Sequence, residues 1–128
     1  MSIVGSLYGF LGYFNHSTKK LEKAEKFYEK GMARGMKRAN HRLAYGVLLL
    51  NKGEFQKARE IFSNVLTDFS QKEKQRTMAK MNLSLAYWKL GKLDIAIEML
   101  EEVQLKYSTA KVYGTLGYML IENGDLDR

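Results

Sequence analysis

A small residue stands seven positions before a turn residue four times along this chain: Gly12 before Lys19, Gly46 before Gly53, Ser84 before Gly91 and Gly117 before Gly124. The turn positions lie 34, 38 and 33 residues apart. One place before each small residue stands a large one, Leu11, Tyr45, Leu83 and Leu116; two places after each turn stand Leu21, Phe55, Leu93 and Leu126. Five places after the first three turns comes an alanine: Ala24, Ala58 and Ala96. Two helices approach closely where a side chain is missing, and both halves of each unit supply such a gap. The stretch LAYGVLLLNKGEFQKAREIFSNVL, residues 43–66, shows it best, with Phe62 and Val65 following Ala58 at helical spacing. A unit of this length cannot bury its own apolar side, so it must stack on copies of itself.

Composition agrees with a folded chain. Of 128 residues, 45% are hydrophobic and 27% charged, outside the disordered range. Proline is absent, so the 11 glycines carry the punctuation. Cysteine is absent too, which excludes disulfides and thiolate metal sites and suits a reducing, cytoplasmic setting. The net charge of +7 favours acidic partners or anionic lipid, or simply solubility. Nucleic-acid binding is not expected, because no exposed aromatics are interleaved with the basic residues.

The repeated marks resemble the tetratricopeptide repeat, about 34 residues of helix–turn–helix. The clearest copies are LAYGVLLLNKGEFQKAREIF and LSLAYWKLGKLDIAIEML; VYGTLGYMLIENGDLD supplies the first half of another, and YGFLGYFNHSTKKLEKAEKFYEKGM is a looser copy whose turn lacks glycine. The resemblance implies an all-α chain: a right-handed α-solenoid of antiparallel helix–turn–helix units, about three and a half of them. Seven helices are expected, over 4–16, 19–34, 37–52, 55–68, 73–90, 93–106 and 109–123. Residues 1–128 form a single domain with repeats at 5–38, 39–72 and 77–109, a partial unit at 110–128, and an insertion near 73–76. The family's usual proline is replaced by Met36, Ser70 and Ser108, so nothing forces those second helices to stop. The four extra residues within DFSQKEKQRT predict a lengthened helix or a longer connection.

No catalytic constellation occurs. His16 and His41 lack a His or carboxylate at i+4, and there is no Walker-type loop. Neither enzyme activity, nor a metal, nor any other cofactor is expected. The resemblance implies a protein–protein interaction scaffold or adaptor whose concave face comes from the first helix of each unit. By carry-over of position that face holds Tyr13, Leu43, Val47, Leu50, Asn51, Met81, Leu85, Trp88, Lys89 and, in the partial unit, Gly114, Tyr118 and Ile121. The family's carboxylate-clamp members place Lys, Asn and Arg there; these positions are mostly apolar, so that activity is not expected. The row is either core or a trough for an apolar peptide or helix, with Trp88, Leu85 and Met81 as anchors.

The two ends raise separate expectations. The pattern calls for a small residue just past Arg128, so the sequence reads as part of a longer chain. Val112, Met119 and Ile121 are then candidates for bare apolar surface through which it would self-associate. Residues 3–14, IVGSLYGFLGYF, carry no charge. They read either as the first repeat helix or as the trailing end of a membrane segment. The cations that follow, among them Lys19, Lys20, Lys23, Lys26 and Lys30, read either as a solvated face or as contacts to lipid or an acidic partner. A membrane-associated assembly protein at the cytoplasmic face is the alternative to the scaffold.

Overall fold

The computed structural model describes residues 3–106 and 110–123. These form α1 (Ile3–Ser17), α2 (Leu21–Ala33), α3 (Ala39–Lys52), α4 (Phe55–Leu66), α5 (Glu73–Lys89), α6 (Leu93–Lys106) and α7 (Ala110–Asn123). Among the described residues there is no strand. Each helix packs chiefly on its neighbours in the chain, and α3 also touches α1, α2 and α5. That is the contact pattern of a solenoid, in which each unit meets only the next.

The turns explain where the helices stop. Gly53 and Gly91 sit in the left-handed region, at φ 91° and 82°. Lys19, the residue that holds the same place in the first unit, adopts φ 64° without being glycine. All three turns close with the same bond from the next residue: Lys20 N–H to Asn15 O, Glu54 N–H to Leu49 O and Lys92 N–H to Tyr87 O, at 2.8–2.9 Å. A left-handed residue followed by this bond satisfies carbonyls that a helix end leaves free. Helix α2 therefore starts at Leu21, two residues later than the spacing predicts. Gly35, at φ 76°, ends α2 in the same way, Met36 N–H donating to Gly31 O. The stop that proline would have imposed is supplied here by glycine. Gly124 lies outside the described residues.

The small residues lie at tight contacts. A Cβ on Gly12 would stand 2.6 Å from the ring of Tyr28, and one on Gly46 2.4 Å from that of Phe62. Ala24, Ala58 and Ala96 are fully buried one turn before Tyr28, Phe62 and Leu100. In the third unit Ser84 replaces glycine and Leu100 replaces the aromatic ring; both are buried. Gly117 differs, with nothing within 4 Å of its would-be Cβ.

Two apolar clusters result. The larger runs from α2 to α5 through Tyr28, Leu49, Phe62 and Val65; the smaller joins α6 and α7 through Leu100, Val103, Leu116 and Met119. Tyr87 packs against both. Met119 is fully buried, so it is not bare surface as expected, because α7 turns it onto α6. Ile121 is exposed. The side chain of Val112 lies outside the described residues.

The inserted residues lengthen α5, which has 17 residues against 14 in α3. The connection before it is held by Arg42, a buried cation on α3. Its Nη1 donates to Asn64 Oδ1 at 2.6 Å, and its Nη2 donates to Lys37 O at 2.7 Å and Asp68 Oδ2 at 2.8 Å. Asp68 also accepts from the backbone and hydroxyl of Ser70. These bonds, with Arg42, hold its carboxyl well below the usual carboxylate range. One guanidinium thus ties together the start of α3, the end of α4 and both connecting loops.

Candidate peptide-binding groove

First helices α1, α3 and α5 together line an open groove of about 430 Å³. Its walls are Tyr13 from α1, then Asn40, Leu43, Ala44 and Val47 from α3, and Lys74, Gln75, Met78 and Asn82 from α5. Met78 and Asn82 continue into a smaller depression of about 50 Å³ with Met81, Leu85, Leu100 and Thr115. The groove therefore runs across consecutive units, with an apolar floor and amide or ammonium groups among its walls. Asn82 Nδ2 donates to Met78 O at 3.0 Å, which fixes that amide on its own helix. Gln75 Oε1 is buried without a hydrogen-bond partner among the described residues.

The expected groove residues separate into several groups. Tyr13, Leu43 and Val47 line the main groove, and Met81 and Leu85 its continuation. Leu43 is nearly fully buried, so it forms floor and core at once. Leu50 packs on the larger cluster. Trp88 packs on the smaller cluster with Met81 and Leu85, and Lys89 Nζ lies 5.0 Å from its ring centre. Trp88 is thus half-buried, with one side on the cluster. Tyr118, Gly114 and Ile121 are exposed on α7.

Asn51 lies elsewhere. It lines a cavity of about 580 Å³ with His16, Leu21, Glu22, Glu25, Lys26, Glu29, Leu48 and Lys52. Lys52 Nζ pairs with Glu25 at 2.8 Å, and His16 Nδ1 lies 3.2 Å from the Tyr28 hydroxyl. Burial lowers the His16 pKa and raises that of Tyr28. Lys19, Lys20, Lys23, Lys26 and Lys30, expected as contacts to lipid or an acidic partner, are all exposed, and Lys26 stands beside the carboxylates of this cavity.

Asn40, Lys74, Gln75, Met78 and Asn82 belong to the groove and were not singled out from the sequence. Lys74 and Gln75 arrive through the added turn at the start of α5. The one available signal was the insertion itself. Among the described residues, no three His, Asp or Glu side chains are grouped so as to hold a metal.

Comparison with known proteins agrees with this architecture. The family model described as tetratricopeptide repeat matches residues 5–33 and 79–104. No curated protein matches the chain in sequence. Among solved structures, the TPR2AB domain of yeast Sti1 in its pHSP90 complex superposes with a TM-score of 0.76 at 17% identity, covering 96% of this chain. The chain spans 48% of that structure's length.

Proposed function

We propose that this chain, two stretches of which match the tetratricopeptide repeat in an all-helical repeat fold, is a non-catalytic scaffold that binds a polypeptide segment in the groove across α1, α3 and α5. The observation that carries this reading is the composition of that groove. Val47, Met78 and the floor at Leu43 offer apolar contact, and methionine adapts to varied shapes. Asn40, Gln75 and Asn82 carry amides suited to a peptide backbone, and Lys74 suits an acidic side chain. The fitting ligand is a short segment with apolar residues on one side and an acidic residue at one end, in line with the net charge of +7. The yeast Sti1 domain shows the fold in a protein complex; this groove supports a mixed apolar and polar mode. The absence of cysteine suits a cytoplasmic setting.

Selection from a displayed random-peptide library tests the proposal. The whole chain should enrich a peptide family, and Val47→Arg and Met78→Glu should each weaken the best peptide at least about tenfold with helicity unchanged. Enrichment of the same peptides by both variants would refute the assignment of the groove.

A further inference from the structure

Helix α1 is turned inside out relative to an ordinary amphipathic helix. Its buried residues are Gly5, Gly9, Gly12 and Asn15. Gly5 and Gly9 meet Gly31 of α2 backbone to backbone, at 3.3–3.4 Å from a would-be Cβ on Gly31. At helical spacing, Ile3, Leu7, Phe10 and Phe14 fall on the opposite side. They are 80%, 55%, 50% and 62% exposed. A solvated protein face of this kind is expected to be polar.

Cations stand at both ends of this apolar stripe. The Arg38 guanidinium lies 4.9 Å from the centre of the Phe10 ring. Arg34 and Met36 backbone atoms abut Gly5, so the loop that carries the exposed Arg34, Lys37 and Arg38 runs beside the first half of α1. The exposed Lys19 and Lys20 follow its last turn. Helix α1 itself has no carboxylate, and the nearest ones along the chain, Glu22, Glu25 and Glu29, line the cavity between α2 and α3. None of the four ion pairs among the described residues uses Arg34, Lys37 or Arg38.

We propose that the outer face of α1 docks on an anionic phospholipid surface. Ile3, Leu7, Phe10 and Phe14 enter the boundary between headgroups and acyl chains, and Arg34, Lys37 and Arg38 meet the headgroups. The helix lies flat: no helix of the described residues is long and apolar enough to cross a membrane. In a free interfacial helix the second face is polar and wet; here it is glycine pressed on α2, so the protein body takes the place of water. A partner protein would also accept an apolar stripe, but the flanking cations, free of carboxylate partners, favour an anionic surface. The stripe lies outside the groove, so this inference stands apart from peptide binding.

Vesicle flotation of the whole chain tests it, with phosphatidylcholine alone or mixed with phosphatidylserine. The chain should float with the mixed vesicles and much less with phosphatidylcholine. Leu7→Glu with Phe14→Glu should cut the bound fraction at least about tenfold, with helicity and groove-peptide binding unchanged. R34Q/K37Q/R38Q should erase the preference for phosphatidylserine. Equal flotation with both vesicle types, or undiminished flotation of the Leu7/Phe14 variant, would overturn the proposal. So would a wild-type dimer in lipid-free solution that the same double substitution converts to monomer, because a second copy would then cover the stripe.

Discussion

Replacing Gly46 by alanine tests the interlocking of small and large residues on which the solenoid depends. The new methyl carbon would stand 2.4, 2.7 and 2.9 Å from Cε1, Cζ and Cδ1 of Phe62, where ordinary contact begins at 3.4 Å. The ring must therefore retreat by about an ångström, and Phe62 is fully buried with no free side to move toward. Overpacking of this kind costs about 2–3 kcal/mol. Alanine is better than glycine within a helix by about 1 kcal/mol. The net expectation is a loss of about 1–2 kcal/mol, read from urea unfolding followed by circular dichroism. Ser84 and Leu100 in the third unit suggest the compensation. With Phe62→Leu in place the clash disappears, so G46A/F62L should be at least as stable as F62L alone. Gly114 provides the control: it is exposed with nothing near its would-be Cβ, and Gly114→Ala should gain about 0.5–1 kcal/mol. If Gly46→Ala were as stable as wild type, or if the G46A and F62L effects simply added, the interlocking would be refuted.

Other consequences follow from single residues. Lys19→Gly relieves a left-handed non-glycine residue and should stabilise by about 0.5–1 kcal/mol, whereas Gly53→Ala should cost about 1 kcal/mol; thermal melts of the two should move in opposite directions. Arg42→Met strips three hydrogen bonds from the junction before α5 and should cost about 2–3 kcal/mol, with loss of amide-exchange protection around Asn64 and Asp68. The pKa of His41 is lowered from 6.5 by burial and then by Arg38, and that of His16 by burial. The unfolded chain therefore binds more protons below 6.5, and stability is full above that value and falls as pH drops toward the folded-state pKa values. Urea midpoints should fall as pH drops below about 6.5, and H16Q/H41Q should flatten that slope.

Much of the architecture was legible because the repeat is written in side-chain size. Gly12, Gly46 and Ser84 mark close contacts, and the turn register placed Lys19 at a turn, although its residue type does not suggest the left-handed conformation that the structure gives it. Helix α1 was legible as a helix but not by face. Glycine contributes little to a hydrophobic pattern, so burying Gly5, Gly9 and Gly12 leaves a sequence that reads as apolar all round. The match of the repeat model to residues 5–33, with those glycines packed on α2, supports its reading as a repeat helix. The groove was legible only in part. Leu50 was read as lining by carry-over of position; α3 is packed on α1, α2, α4 and α5, and Leu50 lies against the larger cluster. Lys74 and Gln75 enter through an inserted turn, which has no counterpart in the other units from which to carry a position over.

The central claim, that the groove across α1, α3 and α5 receives a polypeptide, is tested most directly by amide chemical-shift mapping with the best peptide from the library. Binding there predicts shifts at Tyr13, Asn40, Val47, Lys74, Met78 and Asn82, with α2, α4 and the cavity around Glu25 and Lys52 unmoved. Shifts gathered instead around Glu25, Asn51 and Lys52, with Val47 and Met78 silent, would contradict it.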